Sequence, residues 1–217
     1  MEQLERLGSA TAVVAPRKLS YEIWGIEWER HLPVQVAGNA QRTIELGDPA
    51  ECLDLLSRNS EAIFDLTPDD RRFGHSGSDR ARRRFYEQAA DFFAFRDAGR
   101  LVGFFVGNPI DWDSYYMRHI CVLPESRGCG WMEATGVFLL PVLAEYGVSI
   151  VESHTSPSNF ISQHYAAKFG VFPVGSVCTT RWGTLIHYMG FLNSEAKETF
   201  RRQFCSGIQP ESRVRQP

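Results

Sequence analysis

From residue 43 onward the apolar and polar positions fall into short, regular blocks, and the blocks define elements. "RTIELG" reads as a strand. "DPAECLDLLSRNSEAIF" reads as a helix, with Asp48 as N-cap, Pro49 at the first position and Glu51 three residues on. "TPDDRRFGHSGSD" is a loop, and "RARRRFYEQAADFF" is a helix running into a strand near Phe93 to Arg96. "DAGR" (97 to 100) is a hairpin turn in which Gly99 is free to take positive φ. "LVGFFVG" is the return strand and "NPIDWD" a second turn.

The later blocks are longer. "SYYMRHICVL" is a strand, and "CGWMEATGVFLLPVLAEYGV" is a helix ending at Gly147, with Pro141 marking a kink or a fresh start after Leu140. "SIVESHTS" is a strand, "PSNFISQHYAAKFG" a helix stopped by Gly170, "TTRWGTLIHYMGF" a closing strand and "NSEAKETFRRQF" a capped terminal helix. "QPESRVRQP" has the composition of a disordered tail. Before residue 43, "SATAVVAP" suits a short strand. "SYEIWGIEWERHLPVQVAG" carries Tyr21, Ile23, Trp24, Ile26 and Trp28, enough apolar surface to pack on the rest without declaring a type. Hairpins first, then strands alternating with helices, indicate an α/β (α+β) chain with one mixed sheet covered by helices.

Composition narrows the function more than the fold. The chain has 217 residues, 43% hydrophobic and 23% charged, which suits one domain with a sizeable core. A net charge of -3 makes no global case for a nucleic-acid partner. No apolar run approaches the roughly 18 residues of a membrane span. Five cysteines (52, 121, 129, 178 and 205), odd in number and without a CxxC pair, form neither a disulfide frame nor a zinc site, so no metal is expected. With an acidic start lacking the basic region of a signal peptide, the expected location is the cytoplasm.

Chemistry concentrates in "LPESRGCGWMEA", residues 123 to 134. A strand, a Gly-rich turn and a helix start make an anion site, because the first helical amides lack intrahelical partners and sit at the positive end of the dipole. Gly128 and Gly130 let the backbone approach a ligand, and Arg127 adds a permanent charge and a bidentate fork. No Lys-Ser or Lys-Thr follows, so this is not a Walker A loop, and the spacing is not GxGxxG.

"VLPESRGCGWMEATGVFLL" resembles the acyl-CoA-binding motif of the GNAT N-acetyltransferase superfamily, a strand, V-x-P-E-x-R-G-x-G and a helix. "SIVESHTSPSNFISQHYAAKFGVFPVG" resembles that family's next strand, Asn, helix and Gly-aromatic exit. The resemblance implies a GNAT-like domain over 43–192, an N-terminal extension over 1–42 packed on it, and a C-terminal helix and tail over 193–217. It implies a central mixed, splayed sheet with helices on both faces and acetyl-CoA as acyl donor. The pantetheine would lie in the V-shaped opening against Ile120, Cys121 and Val122, and the pyrophosphate on the amides of Arg127, Gly128, Cys129, Gly130, Trp131 and Met132. Cys129 is then a spacer, because the family transfers the acyl group directly to an amine.

Direct transfer needs a neutral amine, a polarised thioester carbonyl and a proton for the leaving thiolate. The family often places a Glu three residues before the motif Val; here that position is His119, an imidazole able to act as base. Glu152 and His154 on the next strand are rivals. A central-strand amide, that of Val122, would polarise the carbonyl. The family's common Tyr falls at Ala166, and Tyr165 is one residue earlier, about 100° away on a regular helix, so either Tyr165 or water protonates the thiolate. Asn159 suits a pantetheine or substrate contact, and equally a helix N-cap.

The expected acceptor is a small-molecule amine, which includes a nucleotide-linked amino sugar. Alternatives are a longer acyl group, from CoA or an acyl carrier protein, moved to an amino acid, and a binding module without turnover. Candidate acceptor walls are the 64–79 loop, "DWDSYYMRH" (111–119) with its Asp111-Trp112-Asp113 turn, and "CTTRWGTLIHYM" (178–189), in which Thr180, Trp182, Thr184, Ile186 and Tyr188 alternate onto one face. Arg80, Arg82, Arg83 and Arg84 read as a solvated helix face or as a phosphate or carrier-protein contact. The aromatic-rich 20–32 segment leaves oligomer formation open.

Overall fold

The computed structural model describes residues 21–64, 84, 86–179 and 182–204. The proposed strand at 9–16, most of the 64–79 loop, Arg80, Arg82, Arg83 and the C-terminal tail lie outside them. Eight strands form one sheet: β1 (Val34–Gln35), β2 (Arg42–Leu46), β3 (Asp91–Asp97), β4 (Arg100–Pro109), β5 (Ser114–Val122), β6 (Ile150–Thr155), β7 (Phe172–Thr179) and β8 (Gly183–Phe191). Their order is β1-β2-β3-β4-β5-β6-β8-β7. Every neighbouring pair is antiparallel except β5 and β6.

Helices cover both faces. On one lies α1 (Pro49–Phe64), begun by Asp48, whose Oδ1 accepts from the Ala50 amide at 2.8 Å. Its Cys52 packs with Phe92, Ala94, Phe104, Val106 and Cys121. On the other lie α2 (Trp131–Glu145) and α3 (Phe160–Lys168), over Phe93, Phe95, Phe105, Tyr115 and Val151. Burial on both faces explains the near-continuous apolar run "LVGFFVG", since both alternating sets of side chains need cover. A single helix continues through Pro141. A last helix, α4 (Ser194–Phe204), is capped by Asn193, whose Oδ1 accepts from Ala196 at 2.7 Å.

The "DAGR" turn joins β3 and β4 with Ala98 at φ 49° and Gly99 at φ 79°, the two left-handed residues that a tight hairpin of this hand needs. Two expectations need correction, and one segment without an assigned type forms a strand. β4 runs on through Asn108 and Pro109, which pair with Tyr116 and Tyr115, so the second turn begins later than "NPIDWD" indicated. A buried Asn108 and an edge of paired strand outweigh the turn signal of Asn-Pro. "FPVGSVCT" is a full strand, β7, paired to β8. It carries Pro, Gly and Ser and lies half exposed at the sheet edge, where an apolar pattern is not required. The closing strand starts only at Gly183.

Residues 21–36 hold two 3-10 turns and β1, and they complete the core. Trp28 is 5% exposed and meets Phe93 edge-on at 4.7 Å between centroids. Its Nε1 donates to Asp91 Oδ1 at 2.8 Å, and the Tyr115 hydroxyl donates to Asp91 Oδ2 at 2.8 Å. Burial raises the Asp91 pKa, and these two donors partly offset it. No helix among the described residues is long and apolar enough to cross a membrane.

Candidate active site

The parallel pair β5–β6 is joined only through Ser114, Tyr115 and Tyr116, opposite Ile150, Val151 and Glu152. Beyond Tyr116 the two strands part, and the sheet opens into a V. Just past that point the β4–β5 ladder slips by one, with Arg118 as the extra residue between Met117 and His119. The Leu123 amide donates to the Val102 carbonyl at 2.9 Å. Alternation along an antiparallel strand therefore turns the N–H and C=O of Val122 and Ile120 away from β4, into the opening. The side chains of Ile120 and Val122 pack toward α2, and that of Cys121 is fully buried toward α1. Burial lifts the Cys121 thiol to about 12, which leaves it a packing group.

At the end of β5, Pro124–Ser126 make one 3-10 turn. Gly128 (φ 71°) and Gly130 (φ 84°) are both left-handed, and Gly130 is the N-cap of α2 without any side-chain cap. A Cβ on Gly128 would meet nothing within 4 Å. Glycine stands there because of backbone conformation and because the space in front is open. The helix ladder begins with the Ala134 amide on the Gly130 carbonyl, so the amides of Trp131, Met132 and Glu133 precede it. The Trp131 indole is a core group, stacked on Phe95 at 5.2 Å and donating from Nε1 to the Ser126 carbonyl. That leaves only its main chain available to a ligand. Cys129 is half-buried, its Sγ 3.6 Å from the Arg127 carbonyl.

Arg127 is engaged differently from the phosphate role expected of it. One guanidinium nitrogen donates to the carbonyls of Ala62 and Ile63, both at 2.9 Å, at the C-terminal end of α1. A cation there meets the negative end of the helix dipole. Its amide closes the 3-10 turn on the Pro124 carbonyl. The amides that remain available to an anion are then those of 128–132.

The α1 face of the opening carries the titratable groups. His119 lies beside Phe64, centroids 6.1 Å apart, and Phe64 in turn beside Trp182 at 5.5 Å. Tyr116 Oη and His154 Nδ1 are 2.6 Å apart. The rings of His154 and His187 lie tilted against each other, centroids 4.7 Å apart, and His187 Nε2 contacts Glu152 Oε2 at 2.8 Å. Burial first, then the neighbouring His187, lowers the His154 pKa, with Glu152 acting against both. Burial raises the Tyr116 pKa, opposed by Arg118. Arg118 lies over the rings of Tyr116 (5.1 Å) and Tyr86 (5.5 Å), with its Nε donating to Asn108 Oδ1. Tyr116 and His187 lie within the two candidate acceptor segments, but no motif gives either a role, and pairing across three strands unites them with His154 and Glu152.

On α3, Asn159 is the N-cap, Oδ1 accepting from the Ser162 amide at 3.1 Å. Ala166 and Phe169 pack inward, and Tyr165 is half-buried beside His164. The expected shared face of Trp182, Thr184, Ile186 and Tyr188 does not hold. Trp182 precedes β8 and meets α1, whereas Ile186 and Tyr188 belong to the core under α2. Asp111 and Trp112 are exposed in the β4–β5 turn. Among the described residues no three His, Cys, Asp or Glu groups cluster as metal ligands.

The acetyltransferase (GNAT) family pattern matches residues 60–171. The chain belongs to the GNAT acetyltransferase family. As a member it is an N-acyltransferase that uses acetyl-CoA. No curated protein matches the chain by sequence. Among solved structures, yncA of Salmonella typhimurium, held with its cofactor acetyl-CoA, is 17% identical, covers 71% of this chain and 95% of its own, and has a TM-score of 0.55. The ribosomal-protein-S5-alanine acetyltransferase of Vibrio fischeri is 12% identical, with 75% and 98% covered and a TM-score of 0.57. Spermidine N-acetyltransferase of Vibrio cholerae, in complex with CoA and spermine, is 16% identical, with 71% and 97% covered and a TM-score of 0.52. These likenesses are of fold. The open cradle at Gly128 and the main-chain groups of Ile120 and Val122 fit the GNAT donor, anionic at one end and extended at the other.

Proposed function

We propose that this GNAT chain transfers the acetyl group of acetyl-CoA directly to the amine of a small molecule at the α1 face of the β5–β6 opening. The observation that carries this is the opening itself. It has unpaired main-chain groups of Ile120 and Val122 on one side, the Gly128–Gly130 loop at its end and imidazoles on the face beyond. Acetyl-CoA, when bound, supplies an acetyl thioester. The amides of 128–132 hold its phosphates, and the Val122 amide polarises the carbonyl from a fixed strand, which needs no reorganisation.

The base is one of two imidazoles, His119, at the position that family likeness implies, or His154. Tyr165 on α3, or water, returns a proton to the thiolate. Asn159 spends its carbonyl oxygen on the cap and keeps its amide nitrogen for the pantetheine arm. Phe64, Trp182 and His119 form one acceptor wall, which suits an amine with a ring or an apolar stem. The test is thiol release from acetyl-CoA over a set of amino sugars, amino acids, arylalkylamines and polyamines. Acetyl-CoA-dependent turnover on one class supports the reading. Saturable acetyl-CoA binding with no turnover on any class defeats it.

A further inference from the structure

Four side chains on the α1 face cross the point where β5 and β6 separate. Tyr116 is the last β5 residue paired with β6, and its partner is Glu152. His154, two residues further along β6, lies where that strand has lost β5 and is paired on its other side with His187 of β8. The four therefore stand at the mouth of the opening rather than inside the core. All are half-buried. No described helix spans this part of the face, since α1 packs over β3, β4 and the far end of β5.

We infer that Tyr116 and His154 form the proton relay of the acetyl transfer, with His187 and Glu152 as the positioning pair behind them. This rests on the acetyltransferase reading. The proton leaves the ammonium nitrogen of the acceptor for Tyr116 Oη as the phenol proton passes to His154 Nδ1. The amine keeps its lone pair and becomes neutral, and the imidazole becomes an imidazolium that returns the proton to solvent. The 2.6 Å separation of Oη and Nδ1 is a short hydrogen bond along which that transfer runs. Burial favours the protonated Tyr116 phenol and, together with His187, the neutral His154 imidazole; in the relay that imidazole carries its proton on Nε2, so that the phenol donates and Nδ1 accepts. The remaining charged and titratable groups facing this pair are Arg118 on β5, Glu152 on β6 and Tyr86. Glu152 holds His187 at 2.8 Å, and the His187 ring lies tilted against that of His154, centroids 4.7 Å apart, which restricts the rotation of His154.

Two measurements test the relay. In ¹⁵N spectra of the free protein at neutral pH, His154 Nδ1 is expected unprotonated and Nε2 protonated; a protonated Nδ1 overturns the relay whatever the acceptor proves to be. With the amine that the turnover screen selects, Tyr116→Phe and His154→Gln should each lower kcat by roughly 10²-fold or more while KM for acetyl-CoA stays within about twofold. His187→Gln should retain turnover but move the acid limb of the kcat profile to higher pH, because the neighbour that lowers the His154 pKa is gone. Unchanged kcat in both Tyr116→Phe and His154→Gln, with folding verified by circular dichroism, overturns the inference and leaves His119 as the base. A screen with no turnover at all defeats the acetyltransferase reading instead, and the ¹⁵N result still decides the relay's proton arrangement.

Discussion

The loop at 127–131 and the cluster at Tyr116, Glu152, His154 and His187 border the same opening, and they are built from different materials. The loop offers backbone: two left-handed glycines, the first amides of α2 and main-chain groups of Ile120 and Val122. Its side chains are occupied elsewhere, Trp131 in the core and Arg127 on α1. The cluster offers side chains from three strands, joined by one short hydrogen bond, one tilted ring contact and one histidine–carboxylate contact. A pyrophosphate carries the same charge in every acetyl-CoA, so generic amides suffice for it. An amine must be deprotonated at one atom, and that requires a particular group in a particular ionisation state.

Four experiments press on that contrast. The largest effect is expected at Gly128→Glu, which places a carboxylate and a strained φ in the cradle. Acetyl-CoA affinity should fall by about 100-fold or more, which is about 2.8 kcal/mol. Calorimetric titration reads this directly. In a thermal-shift assay the wild type should gain about 2.7 kcal/mol at ~100 times its dissociation constant and the variant almost nothing. Retained affinity would show that the loop is not the donor site.

Arg127→Ala should act on the fold more than on the cofactor. Loss of two carbonyl contacts at the end of α1 should lower stability by about 1 kcal/mol in urea unfolding. A loss of affinity as large as that of Gly128→Glu, with stability unchanged, would return the guanidinium to the phosphates.

The pH dependence of stability has a sign set by His154. Its pKa in the fold lies below the ordinary 6.5, so the neutral form is the one the fold favours. Its contribution is constant above 6.5 and is lost as pH falls through that value. Unfolding midpoints compared on either side of 6.5 should show a drop on the acid side that is smaller in His154→Gln. An identical drop in both proteins would place the titration elsewhere. The smallest effect is expected at Cys129→Ala, which should keep kcat within about twofold, since no acyl-enzyme forms. Loss of turnover there with cofactor affinity intact would mean covalent catalysis.

The same contrast governs what could be read from the chain. Local signals carried the donor side: Asp48-Pro49 starts α1, Ala98-Gly99 turns the hairpin, and Gly128 and Gly130 sit where the backbone is left-handed. Each is a property of a few consecutive residues. Tyr116 and His187 are 71 positions apart in the sequence and reach His154 only through strand order, which no local pattern encodes. Arg127 shows the limit within a motif. Its position was legible, but the direction of its fork depends on α1 ending nearby. "FPVGSVCT" shows the limit at an edge: a strand with one free side pays little for Pro and Gly, so its composition resembles a loop.

Arg127 also makes the two sides one mechanical part. Its guanidinium grips the carbonyls of Ala62 and Ile63, and the next residue, Phe64, borders both His119 and Trp182. Two hydrogen bonds and one peptide unit are thus all that separate the Gly128 loop from the Phe64, His119 and Trp182 wall.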